Sequence, residues 1–251
     1  MLKKLTVGCL RMFIFITRIL FAIKCRYIGR NIDYTEPYEV LLSQKSIIRW
    51  GDGETKLLLY YGGIPYQKKS IKLSISLIKV LLSTSQNIVL FFPKNIINQK
   101  RYFEYKDVIL WGPTQCVWNI FYNGDQVSDA MAFRRENKTR GELFEYIFNK
   151  REVSIVVSKQ ASDLLLLPAI PSFHIQIPEK NSFECIDVIS QKIKKRLDEI
   201  ISFDGLSSEK KIVLISMGPA TKILIIDLCK LNYCAHFQFI DVGHMFDHGE
   251  E

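Results

Sequence analysis

The sequence predicts an α/β fold, a Rossmann-like and mainly parallel sheet flanked by helices and preceded by an N-terminal amphipathic, hydrophobic helix. Three observations carry this reading. Short β-rich runs alternate with longer stretches of 3.6-residue periodicity, the pattern of successive βαβ units. Several short runs, such as KIVLIS (Lys211 to Ser216) and VSIVVS (Val153 to Ser158), suit strands covered on both faces. A length of 251 residues with 48% apolar and 24% charged content fits one α/β domain or two very small ones.

The first element is the basic, hydrophobic segment 1–30. Lys3, Lys4, Arg11, Arg18, Lys24, Arg26 and Arg30 give it seven of the chain's eight net positive charges, and it has no acid. From Leu5 to Ile23 it is mostly apolar, and Lys4, Arg11 and Arg18 recur every seven residues, one narrow stripe on a helix. Arg18 interrupts the apolar run that a cleaved signal peptide needs, and Ile23-Lys24-Cys25-Arg26 offers no small-residue cleavage site. Two central arginines cost a spanning helix about 5 to 7 kcal/mol, which its apolar residues return only to about 5. A helix lying in the interface satisfies both faces, with arginines at anionic headgroups and Phe13, Ile16 and Leu20 in the acyl boundary. That peripheral anchor on the inner membrane surface is the favoured reading, over a single-pass span or a helix packed on the domain. For a span, Arg26 and Arg30 would keep the body cytoplasmic.

The body, 38–251, is close to neutral, which argues against nucleic acid as a partner, since phosphate contacts call for a basic excess on the folded surface. Its expected strands are Ser46 to Trp50, Asn87 to Phe92, Ala130 to Phe133, Val153 to Ser158, Phe173 to Ile177, Lys211 to Ser216 and Phe237 to Asp241. Its expected helices are Ile71 to Leu82, Gly141 to Asn149, Phe183 to Ile201 and Thr221 to Leu231. Asp204 to Ser208 reads as a loop within one domain. The six cysteines are scattered without close CxxC pairs and are expected to be ordinary buried thiols in a reducing compartment.

Ligands of open parallel sheets sit beyond the carboxyl ends of the strands, so the residues following each strand are the candidates. Arg49-Trp50-Gly51-Asp52-Gly53-Glu54 ends an apolar strand in a D-x-E pair. Its two carboxylates suit a hard divalent cation bridging to substrate phosphates; the plainer alternative is a solvated turn with Asp52 capping a helix near Thr55. Gly218-Pro219-Ala220-Thr221 offers a close backbone approach and a helix N-terminus for phosphate, or a plain strand-to-helix turn. Lys159, at another strand end, is a phosphate contact or a surface lysine. Asp241 and His244 flank a glycine after the last strand, where His244 is a candidate for metal or substrate and Asp241 for orienting it. Arg134 is placed to neutralise a diphosphate.

Taken together and in this order, IIRWGDGE, AFRR, SMGPATKILIIDL and FQFIDVGH resemble the bacterial glycosyltransferases of the GT-D fold, the former domain of unknown function DUF1792. The resemblance runs from about residue 40 to the C-terminus. It implies a GT-D type Rossmann-like fold and transfer of a hexose from a UDP-sugar, with Asp52 and Glu54 holding Mn2+ or Mg2+. It places Arg49, Gly51, Gly53, Gly218, Pro219, Ala220, Thr221 and Asp241 on the nucleotide-sugar side. Arg134 and Lys159 are looser matches, the family's usual proline after that arginine being Arg135 here. Asp52, Glu54 and His244 are the expected catalytic residues, with Glu54 and His244 the candidates for handling the acceptor proton. The implied acceptor is a surface-polysaccharide, lipid-linked or protein-linked glycan. A catalytically inactive nucleotide-binding or scaffold subunit of a membrane-associated assembly is the alternative.

Overall fold

The computed structural model describes residues 2–60, 63–83, 86–93, 105–133, 139–160, 167, 171–204 and 209–243. Its centre is a sheet of eight strands, all paired in parallel, in the order β1-β4-β3-β2-β8-β7-β5-β6. The strands are β1 (Asp33–Tyr34), β2 (Ser46–Arg49), β3 (Ile88–Phe92), β4 (Gln126–Asp129), β5 (Val153–Ser158), β6 (Phe173–Gln176), β7 (Lys211–Ile215) and β8 (Phe237–Asp241). The helices are α1 (Leu2–Ile28), α2 (Pro37–Leu42), α3 (Asp52–Leu58), α4 (Ile71–Leu82), α5 (Tyr105–Phe121), α6 (Thr139–Asn149), α7 (Ile186–Asp204) and α8 (Pro219–Lys230).

Period-two alternation divides the strand residues between two cores. Ile48, Leu90, Val213 and Phe239 face α3, α4, α5, α7 and α8. Ile47, Val89, Leu214 and Ile240 face α2 and α6 on the other side. Strands sandwiched this way are buried at nearly every position, which is why β3 reads as a continuous hydrophobic run and β5 and β8 are largely apolar, their buried Ser154, Ser158, Gln238 and Asp241 apart. The chain leaves β2 for β3 and β4 on one side and fills β5 to β8 on the other. The crevice beyond β2 and β8 therefore lies where the strand order switches.

Three sequence expectations are corrected. The fourth strand ends at Asp129, and Ala130 to Phe133 form the turn after it. There Met131 N–H donates to Asp129 Oδ1 (3.0 Å), and the turn's apolar side chains are buried, which lent the run its strand-like composition. Helix α5 has no counterpart among the expected elements, because it is covered on opposite faces and lacks a clean polar stripe. Cys229 and Cys234 are paired in a disulfide, since the turn after α8, with Asn232 in the left-handed region at φ 67°, returns the chain on itself. Cys9 and Cys185 are exposed.

Helix α1 is present and packs on α5. Gly112 of α5 permits this, because a β-carbon there would lie 3.0 Å from Ile14 Cδ1 and 3.1 Å from Leu10 Cδ2. The Phe21 ring lies 4.7 Å from that of Trp118, and Asn119 Nδ2 donates to Thr17 Oγ1 at 3.1 Å. Among the described residues, no helix is long and apolar enough to cross a membrane. Phe21 belongs to the sheet's core cluster. Phe21→Ala is accordingly expected to lower unfolding free energy by about 3 kcal/mol, read from the urea midpoint at unchanged slope. A loss below about 0.5 kcal/mol would mean that α1 is no part of the core.

Candidate functional site

The D-x-E segment leaves β2 at its carboxyl end and enters α3 at once. Gly51 is the residue before the helix, and its N–H donates to Glu54 Oε2 at 2.9 Å. Glu54, rather than Asp52, thus caps α3 by folding back on the turn, as in a capping box. The two carboxylates take different partners. Asp52 remains partly exposed, with Oδ2 accepting from Lys56 Nζ at 2.7 Å, whereas Glu54 is turned inward and only 8% exposed.

Lys222, one turn into α8, comes to meet Glu54. Its Nζ donates to Glu54 Oε1 (3.0 Å), Asp241 Oδ2 (2.8 Å) and the Gly218 carbonyl (3.2 Å), and the residue is 3% exposed. Asp241, fully buried at the end of β8, also accepts from Arg49 N–H at 3.1 Å and from Gly243 N–H at 3.1 Å. Burial alone would raise the Glu54 pKa, but the Lys222 ammonium and the Gly51 N–H outweigh it and hold the carboxyl below its ordinary value. Burial alone would lower the Lys222 pKa, but Asp241 and Glu54 hold it above that of a free lysine.

Arg49 braces the floor from the opposite side. Its Nε donates to the Ala130 carbonyl (3.2 Å) and its Nη1 to the Val242 carbonyl (3.0 Å), which joins the ends of β2, β4 and β8. Gly243, at φ +55°, must lack a side chain, because a β-carbon would fall 2.1 Å from Arg49 Nη1. Gly218 at φ +59° is equally constrained, with a β-carbon 2.9 Å from the Tyr66 ring.

Above this floor is a cleft of about 270 Å³ lined by Arg49, Gly51, Asp52, Gly53, Glu54, Gly218 and Lys222, and walled by Tyr66, Pro93, Trp111 and Met131. Pro219, Ala220 and Thr221 open α8 and are buried, and Thr221 Oγ1 accepts from Met217 N–H at 2.9 Å, stiffening the turn. Lys159 lies over the Tyr66 ring, 5.6 Å from its centroid, at the edge of the same wall. Arg134 and His244 lie outside the described residues. Lys222, Tyr66 and Trp111 were not among the expected site residues. The signal for Lys222 was its place as the lone cation within the otherwise apolar start of α8, PATKILII.

The family model for the glycosyltransferase GT-D fold matches residues 47–250. Glycosyltransferase GlyD of Streptococcus pneumoniae serotype 4 is 25% identical over 235 residues, covering 86% of this chain and 26% of that protein. The chain therefore spans about a quarter of that relative's length. A solved domain of unknown function 1792, described as having a distinct glycosyltransferase fold, superposes with a TM-score of 0.64 at 20% identity, over 86% of this chain and 79% of that one. A DUF1792 glycosyltransferase from Streptococcus sanguinis superposes with a TM-score of 0.64 at 15% identity, over 86% and 82% of the two chains. At these identities the two structures establish the shared fold.

Two outcomes follow from the buried charges. Lys222→Met leaves two buried carboxylates uncompensated and is expected to lower stability by about 3 to 5 kcal/mol in urea unfolding. Glu54, whose folded pKa is depressed, contributes stability that is complete above the ordinary value of 4.5 and is lost as pH falls through its lower folded value. The stability gap between wild type and Glu54→Gln should therefore be full above pH 4.5 and narrow below it. A gap that widens on acidification would contradict the ion pair.

Proposed function

The chain belongs to the glycosyltransferase GT-D fold family, and from that premise we propose that it transfers a hexose from a UDP-sugar, with a divalent cation at the cleft. The observation that carries this is the convergence of the D-x-E carboxylates, the Gly218 turn at the start of α8 and the Arg49 brace on one cleft at the sheet's switch point.

The donor set suits Mg2+ or Mn2+, because Asp52 and Glu54 offer hard carboxylate oxygens on the cleft wall. Among the described residues the ion partner of Asp52 is Lys56, half-exposed at the same cleft. Glu54 would share Oε1 between the cation and the Lys222 ammonium. When bound, such a cation neutralises the donor's diphosphate and the charge that gathers on the leaving UDP.

The chain's own residues supply the rest of the setting. The positive end of the α8 dipole favours a phosphate beside the Gly218 turn. Arg49 adds a fixed positive charge on the cleft wall, and its brace to Ala130 and Val242 keeps that charge from moving. Tyr66 and Trp111 supply apolar walls of the kind on which a base or sugar ring stacks. Arg134 and Lys159 are proposed to bind the nucleotide sugar, and His244 to act beside Glu54 as a candidate for handling the acceptor proton. The acceptor is proposed to be a surface glycan, lipid-linked or protein-linked, met at the cytoplasmic side of a membrane to which residues 1–30 bring the enzyme.

UDP release from UDP-hexoses, measured with Mn2+ and with EDTA, tests this. Release should require the cation and fall by about 100-fold or more in Asp52→Asn. Full metal-dependent turnover in that variant would sink the cation assignment. No UDP binding or release under any condition would favour an inactive scaffold subunit.

A further inference from the structure

Helix α1 has two faces with different obligations. Its inner face is bound to the body through Val7, Ile14, Thr17 and Phe21, all buried. Polar contacts fasten that side along its length, with Arg18 Nη2 donating to Gln115 Oε1 (3.0 Å), Lys24 Nζ to the Tyr122 carbonyl (3.0 Å) and Arg30 Nη1 to Asn123 Oδ1 (2.6 Å). Its outer face carries Met12, Phe15, Ile16, Ile19, Leu20 and Ile23, each between 44% and 63% exposed. The spacing 12, 16, 19, 23 makes one continuous stripe about 16 Å long. An apolar stripe of this size is more than the scattered exposed residues of an ordinary surface.

Charge decides what covers it. Exposed Arg11 and Arg26 border the stripe, and residues 1–30 have seven cations and no acid. A second copy of this helix would set cation against cation across a twofold contact. An anionic bilayer pairs Arg11 and Arg26 with headgroups while the stripe enters the acyl boundary.

We infer that the outer face of α1 docks flat on an anionic lipid surface while its inner face stays packed on α5. The docked helix and the cleft are then neighbours, because Gly112, which α1 touches, directly follows Trp111, which lines the cleft. The cleft mouth is thereby held beside the bilayer. This inference rests on the reading of residues 1–30 as the membrane-facing segment, and it adds the face, the posture and the lipid chemistry.

Flotation of the full chain with vesicles of phosphatidylcholine, alone or mixed with phosphatidylglycerol, tests it, with UDP release followed on the same preparations. Binding is expected only with phosphatidylglycerol. It should weaken as salt rises from about 0.1 to about 1 M, and drop at least about tenfold in Ile16→Asp/Ile23→Asp, with melting temperature and UDP release unchanged. Undiminished binding of the double variant would overturn the docking face while leaving membrane association standing. Absence of wild-type binding to either vesicle would overturn both. Self-association that the double variant abolishes, without vesicle binding, would mean that a second copy covers the stripe, and would also overturn the inference.

Discussion

The architecture of the cleft depends on one buried ammonium. Lys222 joins Glu54, which follows β2, to Asp241, which ends β8, from a helix that follows β7. Three charges taken out of water are tolerable only when every one of them is also hydrogen-bonded. Gly51 N–H serves Glu54, the Arg49 and Gly243 N–H groups serve Asp241, and the Gly218 carbonyl takes the third proton of Lys222. Each partner then constrains its neighbours. Gly243 must remain a glycine because Arg49 passes where its side chain would be, and Gly218 because Tyr66 does.

The same arrangement separates the roles of the two D-x-E carboxylates. Glu54 is spent largely on structure, as the cap of α3 and the partner of Lys222. Asp52 is the one left facing solvent, with an exposed lysine as its ion partner. The motif therefore has, in this chain, one buried member that caps the helix and one part-exposed member paired with Lys56.

Much of this was legible in the sequence because periodicity reports burial. β3, β5 and β7 announce themselves as largely apolar runs, and the cleft opens at the residues after β2, β7 and β8. What escaped was decided by contacts distant in sequence. The Ala130 to Phe133 run is apolar because it is buried at a strand end, and composition cannot tell that from a strand. Lys222 is an ordinary letter in a helix until the fold places two carboxylates beside it. The Cys229–Cys234 pairing depends on a left-handed Asn232 that spacing alone does not reveal.

Helix α5 was the hardest element to foresee, and the reason bears on α1. One side of α5 gives Val117, Trp118 and Tyr122 to the main core. The other side buries Gln115 and Asn119, polar residues that would be costly under an apolar cover. They meet Arg18 and Thr17, polar positions on the inner side of α1. The match of polar to polar, together with the gap left by Gly112, makes this side of α5 a seat specific for α1 rather than a generic greasy surface. A helix so seated cannot leave its partner and enter a bilayer without stranding those groups. Its outer stripe therefore stays presented while the inner face stays where it is, which is the posture that the proposed docking on a lipid surface requires.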